Sequence, residues 1–169
     1  DTPATEIADY REGSIAVGEH ALAGALRFFA SGSLDEEPRG EEVLRAYFRA
    51  ALLTSEATRG LFDEMEFDTV VLHHGLYVPQ GIICEEVRAQ GTRVATWHPA
   101  YRRGCFTFSE DDTYHKTFIH EPTAKWEKIP WTPELDTSLL EYLESRRRGS
   151  HDWISFNRQP IESLDEISS

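Results

Sequence analysis

Histidine is the residue type whose placement in this chain points most directly to chemistry. Five of the seven histidines lie between His73 and His120. A neutral imidazole can accept a proton near neutral pH or bind a transition metal. The adjacent pair His73 and His74, like the pair His115 and His120, lacks the one-turn or His-Glu-x-x-His spacing of metal sites. The spacing favours proton transfer or hydrogen bonding, and a metal-dependent hydrolase stays open as an alternative.

The first histidine pair follows directly on a predicted strand. Thr69–Leu72 is a short, β-branched, uninterrupted apolar run, which is typical of a strand buried on both faces. The pattern of residues 81–90 predicts a short amphipathic helix, and Gly91 is placed to end it. A second strand follows over residues 92–97. Residues 67–102 therefore predict a right-handed βαβ unit with two parallel strands.

The carboxyl ends of these two strands gather the candidate site residues. His73 and His74 follow the first strand, and Trp97 and His98 lie at the end of the second. In open α/β sheets ligands bind at this edge. We therefore expect these side chains to lie together at a binding site.

Aromatic and polar residues in this part of the chain have the composition of a carbohydrate site. Sugars present CH faces and hydroxyl groups, which proteins meet with aromatic platforms and a few polar groups. The candidate platform and polar residues are Tyr77, Trp97, Tyr101, Tyr114 and Trp126, with His74, His98, His115, Asp112 and Arg102. The glycines of Gly75–Gly81 either form only the turn or let backbone N–H groups of the next helix hold an anion.

The rest of the chain supplies flanking helices. Asp1–Arg11 is polar without a periodic pattern, which predicts a mobile lead-in. Apolar periodicity predicts helices over residues 15–30 and 41–65, and residues 103–131 read as a functional loop region with a brief strand at 106–108. Residues 132–149 predict a C-terminal helix that starts at the N-cap Thr132. Its buried face is expected to comprise Leu135, Leu139, Leu140, Tyr142 and Leu143.

Composition narrows the class of protein. A chain of 169 residues predicts one α/β domain, residues 1–169, and we expect it to be a piece of a longer protein. Its net charge of −13 argues against nucleic-acid partners and anionic membranes. Cys84 and Cys105 lack metal-type spacing and read as reduced thiols of a cytoplasmic protein. No transmembrane segment is evident in the sequence.

Several motifs resemble bacterial capsular and surface polysaccharide biosynthesis proteins of the GT-B glycosyltransferase type. The resemblance runs in order over residues 67–156. Its motifs are His74–Gly81 (HGLYVPQG), Thr96–Arg102 (TWHPAYR), Phe106–Ser109 (FTFS), Asp112–His115 (DTYH) and Asp152–Ile154 (DWI). The resemblance implies a Rossmann-like parallel sheet of few strands flanked by helices, which would be the acceptor-side half of such an enzyme.

The resemblance also implies roles for individual residues. Enzymes of this type need no catalytic metal and no cofactor beyond a nucleotide-sugar donor as co-substrate. His74 or His115 would be the base for the acceptor hydroxyl, and Asp112 would orient that imidazole or the sugar. The acceptor saccharide would be bound by Gly75, Tyr77, Gln80, Trp97, His98, Tyr101, Arg102 and Tyr114, with Trp97 and Tyr114 as platform and Arg102 on an anionic group.

Two departures from the family pattern qualify these expectations. The half that binds the nucleotide sugar is absent from this sequence, so we expect the chain alone to be inactive. A first Rossmann strand with its glycine-rich loop is not apparent before Ile15. A non-catalytic carbohydrate-binding or protein-interaction module therefore remains an alternative.

Overall fold

The computed structural model describes residues 2–100, 104–113, 116 and 122–148, and these form a mixed α/β structure with a small open sheet. The chain divides into two compact units, which are described separately. The large unit is Asp1–His98 with Phe108–Phe118, and the small unit is Pro99–Thr107 with Ile119–Ser169. The elements are α1 (Ala4–Ile7), α2 (Val17–Phe29), α3 (Gly40–Glu64), β1 (Thr69–His73), α4 (Gln80–Ala89), β2 (Arg93–Pro99), β3 (Phe106–Glu110), a 3-10 turn (Thr123–Lys125) and α5 (Pro133–Arg148).

The predicted βαβ unit is confirmed. β1 and β2 are parallel, with a register that runs from Thr69 opposite Arg93 to His73 opposite Trp97. Gly91 follows α4 with φ +78°, a conformation that glycine adopts at little cost. β3 lies beside β2 in the strand order β1-β2-β3. The connection from β2 to β3 is too short for a crossover, so this strand pair is antiparallel and the sheet is mixed.

One face of the sheet packs against helices. Val94 of β2 and the α4 residues Cys84 and Val87 are fully or almost fully buried and form an apolar cluster. The expectation that β1 is buried on both faces is wrong, because Val71 is 60% exposed. Among the described residues, helices pack on only one face of this strand. The apolar run had implied packing on both faces.

The main core of the large unit lies among α1, α2, α3 and α4. Small residues of α2 let its neighbours approach closely: a Cβ on Gly18 would lie 1.7 Å from the Ile7 carbonyl oxygen. Ile7 is fully buried in this core. The expectation of a mobile lead-in over Asp1–Arg11 is therefore wrong. No sign of α1 is visible in the sequence, because a single helical turn is too short to show a periodic apolar pattern.

A polar network ties the segment before α2 to α3 and α4. Glu86 of α4 is 4% exposed and accepts a hydrogen bond from the Ser55 hydroxyl. Arg59 lies 3.5 Å from the same carboxylate through Nε and 2.9 Å from Glu12 through a terminal nitrogen. A buried carboxylate needs such partners, because burial without them costs several kcal/mol.

In the small unit the predicted C-terminal helix is confirmed as α5. The Leu135 backbone N–H donates to the Thr132 hydroxyl oxygen over 3.2 Å, which is the expected N-cap. The predicted buried face is wrong. Its leucines are between 38% and 59% exposed: Leu135, Leu139, Leu140 and Leu143. The helical pattern predicts which side chains share a face but not whether another element covers that face.

Candidate functional site

Five side chains meet at the carboxyl ends of β1 and β2, and we call them the ring cluster: His73, His74, Tyr77, Trp97 and His98. The His73 ring centroid lies 4.4 Å from that of His74 and 4.7 Å from that of Trp97. His98 stacks on His73 at 5.7 Å with planes 9° apart, and Tyr77 meets His74 edge-on at 5.7 Å. All five residues are half-buried. The sequence prediction that the strand ends bring His73, His74, Trp97 and His98 together is confirmed.

The turn after β1 sets the position of His74. Its backbone N–H donates to the Trp97 carbonyl oxygen over 2.8 Å, which extends the strand pairing by one residue. His74, Gly75 and Tyr77 all have positive φ, at +42°, +69° and +60°. A Cβ on Gly75 would lie 2.7 Å from the Thr96 methyl carbon. The turn therefore needs glycine for both conformation and space, and this packing explains Gly75 without any contact to a ligand.

A backbone hydrogen bond fixes the orientation and tautomer of the His74 ring. The Leu76 N–H donates to His74 Nδ1 over 3.1 Å. A ring nitrogen that accepts this bond carries no proton, so neutral His74 has its proton on Nε2. In this form the proton occupies Nε2, whereas a general base would need a lone pair there.

His73 lies at the centre of the ring cluster and has different properties. Burial, followed by the positive charges of His98 and Arg27, lowers the pKa of His73 below its usual value. Within the described part of the chain neither of its ring nitrogens has a hydrogen-bond partner. His73 is therefore a neutral imidazole with an available lone pair. Sequence reasoning noticed its position at a strand end but assigned it no role.

Arg27 of α2 also reaches the ring cluster and was not expected there. Its guanidinium carbon lies 4.8 Å from the centroid of the Tyr77 ring, within the range of a cation–π contact. It is also close enough to His73 to contribute to the lowered pKa of that imidazole. The sequence carries no local signal for this contact, because it depends on how α2 packs against a turn fifty positions away.

Helix α4 is held against α2 by a histidine and a carboxylate. His20 Nε2 lies 3.0 Å from Glu85 Oε1, and the Ala16 N–H donates to the same carboxylate over 2.6 Å. Burial alone would raise the pKa of Glu85, but these two hydrogen bonds, together with the charges of His20 and Arg88, hold the pKa below its usual value. The His20 ring also lies against Gly81, where a Cβ would come within 2.3 Å. Gln80, a predicted binding residue, is the half-buried first residue of this helix.

Asp112 is linked to the ring cluster through Thr96. The Thr96 hydroxyl donates to the Asp112 carbonyl oxygen over 2.9 Å, and the Thr96 methyl group faces Gly75. The Asp112 carboxylate accepts from the Thr113 N–H over 2.8 Å and pairs with Lys116 at 3.5 Å. These contacts do not include an imidazole, so a role for Asp112 in orienting one stays a prediction.

Four predicted site residues lie outside the described residues: Tyr101, Arg102, Tyr114 and His115. Their roles remain predictions from the sequence. Trp126, an early candidate for the aromatic platform, belongs to the small unit and is 58% exposed.

Metal and thiol chemistry have little support among the described residues. No group of three or more His, Cys, Asp or Glu side chains in this part of the chain is arranged to hold a metal ion. Cys84 and Cys105 are free thiols. Burial raises the pKa of the Cys84 thiol to about 11, so it is protonated and a poor nucleophile at neutral pH.

A cleft of about 490 Å³ lies elsewhere in the large unit, between α3, β1 and α4. Its lining is mostly apolar and includes Leu61, Phe62, Phe67, Val70 and Ile83. No residue predicted from the sequence to bind a ligand lines it.

No helix in the described part of the chain has the length and apolar character needed to cross a bilayer. Comparison with protein-family models, curated proteins and solved structures gave no match to this chain.

Proposed function

We propose that this chain is the acceptor-side, Rossmann-like half of a glycosyltransferase that builds a bacterial capsular or surface polysaccharide. The observation that carries the proposal is the ring cluster, which combines aromatic faces with imidazoles at the carboxyl ends of two parallel strands. Ligands bind at this edge in α/β sheets, and aromatic surfaces edged by polar groups suit sugars. The nucleotide-sugar donor would bind a second domain of the enzyme.

The ring cluster offers distinct roles for its members. Trp97 and Tyr77 would provide apolar surface for the CH faces of the acceptor sugar. His73 would take the proton of the attacking hydroxyl, since it is neutral and its ring nitrogens carry no hydrogen bond from the described residues. The bond from Leu76 would hold the His74 imidazole in place beside the bound sugar. This division shifts the proposed base from His74 to its neighbour.

Activity of the intact two-domain enzyme tests the proposed base. A general base contributes ~10²–10⁴-fold to rate, so His73→Gln should lower kcat by at least ~100-fold. His74→Gln removes an imidazole that is not the proposed base and should have a smaller effect on kcat. A larger loss of kcat in His74→Gln than in His73→Gln would reverse the assignment.

Ligand-observed NMR of this chain tests the site without requiring turnover. The ligands are a panel of acceptor saccharides and a panel of nucleotide sugars, each with wild type and with Trp97→Ala. The control is Trp131→Ala, which removes a 62% exposed tryptophan of the small unit. The amide spectrum of each variant confirms its fold.

The proposal predicts saccharide signals that disappear in Trp97→Ala and persist in the control. Binding of nucleotide sugars instead would mean that this is the donor half. The absence of any saccharide signal would favour a protein-interaction module. Saccharide binding, combined with undiminished kcat in His73→Gln and His74→Gln, would favour a non-catalytic carbohydrate-binding module.

A further inference from the structure

Arg27 has no carboxylate partner among the described residues. The chain carries 30 acidic and 17 basic residues, so ion pairing is the expected state of an arginine. Within the described residues, arginines pair with glutamates as Arg39–Glu42, Arg45–Glu41, Arg59–Glu12, Arg147–Glu144 and Arg148–Glu144. Arg27 instead lies over the Tyr77 ring.

The contact of Arg27 with the Tyr77 ring is not a hydrogen bond, so it uses none of the guanidinium N–H donors. A guanidinium that contacts an aromatic ring through its flat face keeps its N–H donors in the plane, where they can bind a carboxylate or phosphate in a bidentate manner. Arg27 is exposed, and no acceptor from the described part of the chain is bound to these donors. An anionic ligand in the ring cluster could therefore accept hydrogen bonds from the Arg27 guanidinium.

Two acidic residues near the ring cluster have partners other than Arg27. Glu85 of α4 accepts from His20 and from the Ala16 N–H, and Asp112 pairs with Lys116. In a chain whose net charge is −13, neither of these carboxylates is a partner of Arg27.

We propose that the ring cluster binds a saccharide that carries an anionic group, a carboxylate or a phosphate ester, with Arg27 as its contact. This inference rests on the proposed function, because it names the class of acceptor taken by the same site. Tyr77 holds the guanidinium in place, and the sugar ring lies on the aromatic surface beside it. A polyanion such as nucleic acid is a poorer ligand, since the charge of the whole chain repels it at long range.

Binding of matched ligands tests the proposal at low ionic strength. The probes are glucuronate, glucose 1-phosphate and methyl glucoside as sugars, with acetate and inorganic phosphate as anions without a sugar. A bidentate, charge-assisted contact at a partly exposed site should make the two anionic sugars bind about tenfold more tightly than methyl glucoside. Comparison of glucuronate with glucose 1-phosphate shows which anion the site prefers.

Two variants distinguish a direct contact between Arg27 and the anionic group from an effect of the protein's net charge. Arg27→Gln should bring the affinity for the anionic sugars down to that for methyl glucoside. Arg49→Gln removes an exposed arginine of α3 that also lacks a described partner, and it should leave the preference unchanged. Both positions are exposed, so neither change should disturb the fold.

The other outcomes are distinguishable. Equal affinity for neutral and anionic sugars would overturn the inference and leave the proposed function intact. An equal loss of preference in Arg49→Gln would overturn it as well, because the effect would then be one of net charge. Acetate or phosphate binding as tightly as the anionic sugars would show an anion site without sugar recognition. Failure of every sugar to bind would overturn the inference together with the proposed function.

Discussion

Replacing Gly75 by alanine adds one methyl group to the turn that carries His74. The new Cβ would lie 2.7 Å from the Thr96 methyl carbon and 3.1 Å from Cys84 Sγ, both in the buried interior. The left-handed backbone at φ +69° costs an L-residue ~1–2 kcal/mol. Overpacking of a dense core costs a further ~1–3 kcal/mol. The free energy of unfolding should therefore fall by about 2–5 kcal/mol.

Gly91→Ala is the matched control for this substitution. Gly91 has φ +78°, and no atom lies within 4 Å of the position that its Cβ would occupy. It should lose only the backbone contribution of ~1–2 kcal/mol. The difference between the two variants isolates the contact with Thr96 and Cys84.

Urea unfolding, followed by far-UV circular dichroism, measures both variants. In a chain of this size each kcal/mol corresponds to a Tm change of roughly 2–4 °C, so thermal unfolding provides a second measurement. If Gly75→Ala is no less stable than Gly91→Ala, the packing behind the turn is not what requires glycine at position 75. The argument that burial rather than a ligand explains this glycine would then be wrong.

Three further predictions concern single side chains. Long-range ¹H–¹⁵N NMR at a pH where His74 is neutral should show its proton on Nε2; a proton on Nδ1 would contradict the assigned hydrogen bond. A thiol reagent at pH 7 should label the exposed Cys105 rapidly and Cys84 only on unfolding, because burial raises the pKa of Cys84 to about 11; equal labelling rates would exclude a buried Cys84. Glu85→Gln should be less stable than wild type at pH 7, and the difference should shrink as the pH falls below the ordinary carboxyl value of 4.5, since the pKa of Glu85 is lowered in the fold. A difference that stays constant down to low pH would show that its charge does not stabilise α4.

The sign of the Glu85 effect follows from proton binding. The unfolded chain holds the carboxyl proton more tightly than the fold does, so acid shifts the equilibrium toward unfolding. The stabilisation is complete above the unfolded pKa and is lost as the pH falls through the lower folded pKa.

The βαβ unit was predictable because its signals are local. An apolar run, an amphipathic helix and Gly91 each fall within a few positions, and the parallel pairing of the strands follows from their order. His73 and Trp97 are the last paired residues of the two strands, so their contact follows from the parallel pairing. Likewise, Thr132 is an N-cap by virtue of its own neighbours.

The features that sequence reasoning missed depend on distant parts of the chain. Arg27 reaches Tyr77 through the packing of α2, and no periodic pattern encodes that contact. The burial of Ile7 comes from the absence of a side chain at Gly18. The exposure of Val71 depends on what covers the second face of the sheet, which composition does not reveal.

The polar network that joins Glu12, Arg59, Ser55 and Glu86 bears on how this protein can be subdivided for experiments. By sequence pattern the βαβ unit looks like the smallest self-sufficient piece, and a truncated version would begin near Phe67. Such a truncation would remove Arg59 and Ser55, the described partners of a carboxylate that is 4% exposed. A piece that retains α3 but lacks Glu12 would still leave Arg59 without its closest carboxylate. Deletion libraries and expression fragments aimed at the site therefore need to start ahead of Glu12, about sixty residues before the first site histidine.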